Sequence, residues 1–408
     1  MRTLLQINVT ANSGSTGKIA EQINQLAQSL GWNTYFAYGR NMQPCKSTLL
    51  RTGNKLQVYE HYAEHRLFDN DGLASRLATH QLVKRIKEIS PDIIHLHNIH
   101  DHWLNYRILF EFLNTLDIPI VWTQHDCWAF TGGCAYFSLR NCYRWRDGGC
   151  KDGCPMKARR IFEKTTKHFQ LKQNLFTSTK NLTLVPVSYW LEDLERQSFL
   201  NCHNIVTIHN GIDISKFHPT DSSSVRRKYG IGDGKYVIGV ASVWSKRKGF
   251  DDYIRLSHLI PKEIKIVLVG LNAELLKKAE ENDIIGIPRT EDVGELAALY
   301  SGAMMFLNLT YEDNYPTTNL EAMACGTPIL TYRTGGSVEA VTHDAGWIAA
   351  QGDIDAVAKL VEDWAMSIEI VPVIETEMRR KCRERAEREF NKEDRYADYL
   401  KLYNALLK

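Results

Sequence analysis

The chain has 408 residues, of which 44% are hydrophobic and 24% are charged, and its formal net charge is +2. This composition is typical of a soluble globular enzyme, and the balanced charge gives no indication of nucleic-acid binding. No apolar run approaches the ~20 residues of a membrane helix, and the length favours two or more domains.

The N-terminus, Met1–Val9, is too short and polar for a signal peptide and predicts a first strand instead, so we expect a cytoplasmic protein. In the first half, further strands are predicted at 33–38, 92–96 and 119–122, and helices at 17–30 and 72–89. This alternation indicates a doubly wound parallel sheet. Ligands of such sheets bind beyond the carboxyl ends of the strands, so motifs that follow strands are the candidate sites.

The loop after the first strand, residues 11–18, reads ANSGSTGK and is similar to the phosphate loop of NTPases. Asn12 stands where that loop needs its first glycine, and Ile19 stands where a magnesium-binding Ser or Thr belongs. We therefore favour a flexible turn in which Gly14 and Gly17 allow close approach to a ligand.

Four histidines follow the strand at 92–96: His95, His97, His100 and His102. They resemble a metal site in composition, but alternation places only His95 and His97 on one strand face and leaves the others in a loop. We favour an ordinary loop over a metal site. Two Asp-x-Asp triplets, Asp69/Asp71 and Asp353/Asp355, follow no predicted strand beside the other motifs, and we interpret them as solvated turns or helix starts.

Five of the nine cysteines lie between residues 127 and 154. Cys134, Cys142, Cys150 and Cys154 could hold a structural zinc ion as four thiolates, with buried thiols in a compact excursion as the alternative. The next segment is basic and partly apolar, which predicts either contact with an anionic membrane or an ordinary solvated helix. Its residues include Lys157, Arg159, Arg160, Ile161, Phe162, Lys164, Lys167, Phe169 and Lys172.

A second series of strands is predicted at 205–208, 236–241, 264–269, 304–309 and 328–331. After the second of these comes Lys246-Arg247-Lys248-Gly249, a cationic turn that opens a helix. After the fourth comes a segment in which Pro316 suits the first helical turn. The amides of Thr317, Thr318 and Asn319 would then be free to bind phosphate. Asp313 and Glu321 bracket this turn and suit the hydroxyls of a nucleotide sugar.

The stretch Asn319–Pro328 resembles the signature of the family-4 retaining glycosyltransferases, in which a Glu precedes a second Glu, a small-residue helix and Gly-x-Pro. Glu321 matches the second Glu, but Asp313 replaces the first, and Glu312 beside it could partly substitute. Val243 stands where the family has an Arg, so Arg247 or Lys246 would have to compensate. The His125–Trp128 and Thr131–Cys134 motifs resemble a subfamily of bacterial colanic-acid and exopolysaccharide biosynthesis.

The resemblance implies the GT-B fold, an α/β architecture of two Rossmann-like domains that face each other across a cleft. Residues 1–195 would form the acceptor-side domain with a Cys-rich excursion at 127–156, and 196–388 the nucleotide-sugar-binding domain. Residues 389–408 would form a helix that crosses back to the first domain.

The resemblance also implies a role for each matching residue. His125, Asp313 and Glu321 would act on the transferred sugar and the donor hydroxyls, and Glu321 and Arg289 would lie at the ribose and base. The donor diphosphate would contact Gly14, Ser15, Arg247, Lys248, Thr317, Thr318 and Asn319.

The implied reaction is transfer of a hexose, with retention, from a UDP or GDP sugar to a glycan or a polyprenyl-diphosphate-linked oligosaccharide. We expect no cofactor and no divalent metal in the chemistry, and peripheral contact with the inner face of the plasma membrane is a further expectation. The alternatives are a non-hydrolysing nucleotide-sugar epimerase and a non-catalytic glycan-binding protein on a degenerate transferase scaffold. The sequence leaves the base, the sugar, the acceptor and the oligomeric state open.

Overall fold

Two parallel sheets, each in its own unit of the chain, carry the fold in the computed structural model, which describes residues 1–155 and 162–408. The first unit comprises Met1–His209 and Arg395–Lys408, and the second comprises Asn210–Asp394. The predicted α/β class, with a doubly wound sheet in each half, is confirmed.

The first sheet has seven parallel strands in the order β3-β2-β1-β4-β5-β6-β7. Its strands are β1 (Thr3–Ile7), β2 (Asn33–Tyr38), β3 (Thr48–Arg51), β4 (Ile93–Leu96), β5 (Ile120–Gln124), β6 (Leu182–Pro186) and β7 (Asn204–Ile205). The helices that begin in this unit are α1 (Gly14–Ser29), α2 (Lys55–Phe68), α3 (Arg76–Ile89), α4 (Tyr106–Leu113), α5 (Thr165–Thr177) and α6 (Tyr189–Gln197).

The second sheet has six parallel strands in the order β10-β9-β8-β11-β12-β13. Its strands are β8 (Tyr236–Val240), β9 (Lys265–Val269), β10 (Ile284–Ile287), β11 (Met305–Asn308), β12 (Ile329–Tyr332) and β13 (Gly346–Ala349). Its helices are α7 (Ser223–Lys228), α8 (Phe250–Ser257), α9 (Ala273–Glu280), α10 (Val293–Gly302), α11 (Thr317–Ala324), α12 (Ile354–Ile370) and α13 (Val373–Glu389). A last helix, α14 (Lys392–Leu406), returns the chain to the first unit.

The helix α14 packs on the first sheet through one apolar face. Tyr396, Tyr399, Leu400 and Tyr403 are buried there beside Ile19, Ile23 and Val121. Full burial of a large apolar side chain contributes about 1.5–3 kcal/mol relative to exposure, so this face stabilises the attachment of the helix. The predicted C-terminal helix that packs on the first domain is therefore present.

Two predicted elements differ from the structure. The strand predicted at 205–208 as the start of the second series is β7, which pairs with β6 and belongs to the first sheet. The helix predicted at 72–89 begins only at Arg76, because residues 69–75 form a turn that follows α2. Asp69 and Ser75 both adopt left-handed backbone in that turn, which interrupts the helix.

Candidate functional site

The two sequence motifs of the second unit meet at the switch point of its sheet. Strands β8 and β11 are neighbours, and the chain runs to opposite edges of the sheet from them. The crevice beyond the carboxyl ends of such a strand pair is where open parallel sheets bind ligands. The cationic turn Lys246–Lys248 follows β8, and Thr310–Asp313 follows β11.

A small ion cluster joins these two loops. Lys248 Nζ lies 2.6 Å from Asp313 Oδ2, and Arg247 Nη1 lies 3.8 Å from the same oxygen. Arg247 Nη1 also donates to the carbonyl of Glu312 at 2.6 Å. The side chains of Lys248 and Asp313 are 19% and 17% exposed, so a ligand can reach both. The cluster places two cations beside one carboxylate, a combination suited to a phosphate that carries hydroxyl groups nearby.

Gly249 fixes the shape of the cationic turn. Its φ of 72° is left-handed, and a Cβ at this position would lie 2.1 Å from the carbonyl oxygen of Leu309. Only glycine therefore lets the turn press against the end of β11. The Tyr311 amide donates to the Arg247 carbonyl at 2.8 Å and holds the two loops together.

The helix start at residues 316–319 differs from the prediction in two respects. Pro316 is the N-cap residue, with extended backbone, and the first helical residue is Thr317. The Asn319 amide is not free, because it donates to the Pro316 carbonyl at 3.1 Å. Thr317 and Thr318 lie in the first turn, where amides lack a partner within the helix, and they keep the predicted capacity to bind an anion.

The Asn319 side chain has a structural role that the sequence did not predict. It accepts from Asn308 Nδ2 at 2.7 Å and donates to the Ser337 carbonyl at 3.0 Å. These bonds tie the start of α11 to the end of β11 and to the glycine-rich turn after β12. The pair Gly335–Gly336 after a predicted strand was the available signal for this turn.

Of the carboxylates near the helix start, Asp313 and Glu321 are accessible and Glu312 is not. Glu312 is fully buried, so it does not substitute for the first Glu of the family pattern. Glu321 is partly exposed and accepts a hydrogen bond from the Tyr300 hydroxyl at 3.1 Å. Burial and the Glu321 carboxylate raise the pKa of Tyr300 well above its usual value, so its hydroxyl remains a donor. Tyr300, at the end of α10, was missed by the sequence analysis.

Two other predicted positions lie away from these contacts. Arg289 is exposed in the loop between β10 and α10. Its predicted contact with the ribose or base stays a prediction. Val243, where the family has an Arg, is 72% exposed. Arg247 lies 3.8 Å from Asp313, and its compensation for the missing Arg stays a prediction.

In the first unit, His125 directly follows β5 and belongs to a chain of hydrogen bonds. His125 Nε2 lies 3.0 Å from His97 Nδ1, and His97 Nε2 lies 2.6 Å from Gln6 Oε1. Since the amide oxygen of Gln6 only accepts, His97 donates to it from Nε2 and accepts from His125 at Nδ1. With the Gln6 amide in this orientation, His125 carries its proton on Nε2.

Burial makes this histidine chain neutral. It lowers the pKa of His125 to about 4 and the pKa of His97 well below its usual value. A neutral His125 cannot neutralise a phosphate by charge. It is suited instead to hydrogen bonding with a hydroxyl group, and the sugar contact that the resemblance implies stays a prediction.

The glycine-rich loop after β1 differs from the prediction. Helix α1 begins at Gly14, so Gly14 and Ser15 lie in its first turn rather than in a loop. Gly17 approaches its own chain and not a ligand, because a Cβ there would lie 2.7 Å from the Thr10 hydroxyl. The loop is a helix start at the switch point between β1 and β4, where first-turn amides can still face an anion.

The four cysteines predicted to bind zinc are brought into one region without forming a tight group. Cys134 and Cys154 interact through a hydrogen bond, and Cys150 lies near both. Among residues 1–155 and 162–408, only His65, Asp71 and His102 have three ligand atoms within 4.8 Å of one another. The zinc site therefore stays a prediction, and so does the buried-thiol alternative.

The two Asp-x-Asp triplets have different environments. Asp353 caps α12 by accepting from the Ala356 amide at 3.0 Å, as expected for a helix start. The solvated turn expected at Asp69/Asp71 is wrong, because Asp69 is fully buried and accepts from the Lys164 amide at 2.8 Å. Asp71 is 17% exposed and belongs to the His65–Asp71–His102 group.

The basic segment after the cysteines is only partly described. Lys157, Arg159, Arg160 and Ile161 lie outside the described residues. Lys172 and Phe169 cannot face a membrane, since both are buried. Lys172 Nζ donates to the Trp128 carbonyl at 2.7 Å and lies 3.3 Å from the centre of the Trp128 ring. Within the described parts of the chain, we find no helix with the length and apolarity needed to cross a bilayer.

Comparison with known proteins identifies both halves of the chain. A family model described as Glycosyltransferase Family 4 matches residues 21–216, and one described as Glycosyl transferases group 1 matches residues 221–389. N-acetyl-alpha-D-glucosaminyl L-malate synthase of Bacillus anthracis is 27% identical over 50% of this chain and 55% of that protein. The putative colanic acid biosynthesis glycosyl transferase WcaC of Escherichia coli is 27% identical over 37% of this chain and 39% of that protein. The chain thus matches only about half or less of the length of these relatives.

Solved structures resemble the whole chain. Sucrose-phosphate synthase from Thermosynechococcus elongatus matches with a TM-score of 0.73 and 15% identity, over 100% of this chain and 99% of that chain. Anabaena HepE in complex with UDP-glucose matches with a TM-score of 0.68 and 14% identity, over 99% of this chain and 100% of that chain. At this level of identity the likeness concerns the fold.

Proposed function

The chain belongs to the family-4 glycosyltransferases of the GT-B fold, as the stretch Asn319–Pro328 predicted, and we propose that it transfers a hexose from a nucleoside-diphosphate sugar. The acceptor is a glycan or a lipid-linked oligosaccharide of bacterial surface polysaccharide synthesis, and the anomeric configuration is retained. The likeness to WcaC supports the polysaccharide acceptor, and the UDP-glucose complex of HepE supports the class of donor.

The observation that carries this proposal is the ion cluster between β8 and β11. Charge separation at the leaving diphosphate is the main barrier to sugar transfer, and fixed cations stabilise it best when they are already in place. Lys248 and Arg247 supply these cations, and the first-turn amides of Thr317 and Thr318 supply neutral donors at the positive end of α11.

The remaining groups bind hydroxyls. Glu321, oriented by Tyr300, accepts from the ribose, and Asp313 accepts from the transferred sugar. Neutral His125 in the first unit forms a hydrogen bond with a sugar hydroxyl. This set of groups performs the transfer without a divalent metal.

Replacing Lys248 tests the diphosphate site. We expect Lys248→Ala to weaken binding of the free nucleoside diphosphate by about 1.5–3 kcal/mol, the scale of a hydrogen bond to a charged group. The loss should shrink at high salt, where screening weakens the wild type. Lys246→Ala is the matched control, since Lys246 lies in the same turn but is exposed. Calorimetry that finds equal affinity in wild type and K248A would remove Lys248 from the donor site.

The reaction is tested by first finding the donor. A thermal-shift screen with UDP, GDP and ADP, followed by their sugars, identifies the nucleotide. Transfer to a candidate acceptor is then followed by NMR, which reports the anomeric configuration of the product. A donor converted into its epimer in the absence of any acceptor would instead identify a nucleotide-sugar epimerase, and an inverted product would refute retention.

A further inference from the structure

A second cluster of polar residues lies in the first unit and has no part in the proposed transfer. His65 comes from α2, Asp71 from the turn between α2 and α3, and His102 from the loop after β4. One ligand atom from each lies within 4.8 Å of the others. Three separate segments therefore converge on one point with two imidazoles and a carboxylate.

The distance between His65 and Asp71 is longer than an ordinary hydrogen bond. His65 Nδ1 lies 3.7 Å from Asp71 Oδ1, beyond the 2.7–3.2 Å of a good N–H···O bond. Two ligands of one tetrahedral zinc ion, each about 2.0–2.1 Å from the metal, lie about 3.3 Å apart. The observed spacing is thus closer to that of two ligands around an ion than to that of a donor and its acceptor.

His102 is oriented as a metal ligand would be. Its Nδ1 faces Asp101 at 3.4 Å, and Asp101 forms an ion pair with Arg40 at 2.6 Å. Its Nε2 is buried, and the described residues offer it no hydrogen-bond partner. A carboxylate on one ring nitrogen and a metal on the other is the usual arrangement around ligating histidines. Without an ion, a buried Nε2 with no partner costs free energy.

The backbone around His102 is held in an unfavourable conformation. Asp101 and His102 have φ values of 82° and 63°, two consecutive non-glycine residues in the left-handed region. Such a conformation costs free energy and persists only where the surroundings require it. The strain turns the His102 ring toward α2, where it packs against His65 with a centroid distance of 4.8 Å.

The neighbouring His61 holds the turn in place and is not itself a ligand. Its Nε2 accepts from the Gly72 amide at 3.1 Å, and its Nδ1 bonds with the Ser75 hydroxyl at 2.9 Å. Both ring nitrogens are therefore in use. These bonds fix the residues that directly follow Asp71, and so they help to position the carboxylate before any ion arrives.

We propose that His65, Asp71 and His102 form a three-ligand binding site for a divalent transition-metal ion of the zinc type. Two imidazoles and a carboxylate are ligands that Zn²⁺, Co²⁺ and similar ions accept, and water completes the coordination. The ion ties α2 and the turn after it to the loop that follows β4. Asp101 is a positioning residue that acts through the His102 ring.

The test measures Co²⁺ and Zn²⁺ binding to the full chain, prepared without a histidine tag and stripped with a chelator. Equilibrium dialysis with elemental analysis gives the stoichiometry. Because the cysteines could bind metal too, the measurement is made in a Cys134→Ser, Cys154→Ser background and also in the original chain. In the original chain, thiolate-to-cobalt charge transfer in the near ultraviolet distinguishes sulfur ligation from nitrogen and oxygen ligation.

We expect one ion per chain in the cysteine-substituted background, and loss of at least tenfold in affinity in both His102→Gln and Asp71→Asn. Asp101→Asn keeps all three ligands and should weaken binding by about tenfold to a hundredfold. His80→Gln is the matched control, because His80 is an exposed histidine of α3 in the same unit. Its affinity should equal that of the parent.

A folded parent that binds no ion would overturn the proposal, and so would binding that both ligand variants leave unchanged. If the ligand variants fail to fold, the Asp101→Asn affinity and the rise in Tm of the parent with added Zn²⁺ decide the question. Binding to the folded state raises Tm by mass action. An unchanged Tm together with an unchanged Asp101→Asn affinity refutes the site.

Discussion

Asp313 plays two opposing parts in the proposed donor site. It forms the ion pair with Lys248 before the donor arrives, and the diphosphate must then compete for the same ammonium. Asp313 is also the carboxylate of the loop after β11 that can accept a hydrogen bond from a sugar hydroxyl, because Glu312 in the same loop is buried. Affinity for the nucleotide and rate of transfer should therefore respond in opposite directions when its charge is removed.

We expect Asp313→Asn to bind the free nucleoside diphosphate more tightly, by about fivefold, because about 1 kcal/mol of competing ion-pair energy is removed. Transfer should be slower, since the amide is a weaker acceptor for the sugar hydroxyl. Calorimetry with the diphosphate and steady-state kinetics with the donor sugar measure the two effects. Weaker binding in the variant would show that Asp313 supports the diphosphate rather than competing with it.

Glu321→Gln keeps the shape of the side chain and removes the charge that accepts donor hydroxyls. We expect kcat/KM to fall by an amount equal to roughly 2–3 kcal/mol, the scale of one charge-assisted hydrogen bond. The helix should persist, because Tyr300 can still donate to the amide oxygen. Glu280→Gln, on an exposed position of the same unit, is the control. Equal kcat/KM in E321Q and wild type would argue against a donor contact.

At the scale of elements, α14 is held to the first sheet by polar bonds as well as by its apolar face. The Tyr403 hydroxyl lies 2.6 Å from His95 Nδ1, and His95 Nε2 lies 2.7 Å from the Thr123 hydroxyl. Thr123 in turn donates to Tyr399 at 3.1 Å. The network fixes the rotation of α14 on β4 and β5, the two strands that lead into the histidine loops.

Tyr403→Phe removes one hydroxyl from this network and leaves a buried His95 nitrogen without its partner. We expect the free energy of unfolding to fall by about 1–3 kcal/mol, the cost of an unsatisfied buried polar group. Urea denaturation measures it, with Tyr59→Phe as the control because Tyr59 is 70% exposed. A stability equal to wild type would show that water replaces the hydroxyl.

How far the sequence predicted these elements depended on how each one is buried. The cationic turn after β8 and the small-residue helix after β11 were predicted because each follows a buried strand within a local motif. Helix α2 was missed because its apolar side chains Leu56, Tyr59 and Tyr62 are exposed and trace no buried stripe. The His65–Asp71–His102 group was missed because nothing local joins residues so far apart in the chain.

At the scale of the whole molecule, the two units differ in the burial of their histidine side chains. Burial lowers the pKa of five histidines in the first unit. The pKa falls to about 4 for His61 and His125, well below the usual value for His95 and His97, and below the usual value for His203. Those in the second unit are exposed, namely His218, His258 and His343. Lowering the pH should therefore destabilise the first unit more than the second.

We expect the first unit to lose stability as the pH falls from about 6.5 toward 4. Its buried histidines stay neutral in the fold and take up protons once unfolded, so the unfolded state binds more protons in this range. Each contributes up to about 1.4 kcal/mol per pH unit. His100, whose pKa Asp126 raises, and Glu195, whose pKa burial raises, act in the opposite direction. They are fewer, so they reduce the effect without reversing it.

Hydrogen exchange measured peptide by peptide at pH 7 and pH 5, corrected for intrinsic rates, checks this expectation. Protection should fall in β1, β4 and β5 and should hold in β8, β11 and β12. The second unit is the internal control. Equal loss in both units, or loss in the second unit first, would contradict the assignment of the acid sensitivity to the buried histidines.

The division of the first unit into two chain segments has a consequence during synthesis. Residues 210–394, which make up the second unit, leave the ribosome before residues 395–408, which the first unit needs to cover its sheet. Domains usually fold in the order in which they are made. Here the second unit is fully synthesised before the first unit is complete. Until α14 has been made, Ile19, Ile23 and Val121 of the first unit stay uncovered. A nascent chain halted just before residue 395 would thus hold a finished second unit beside a first unit open to chaperones.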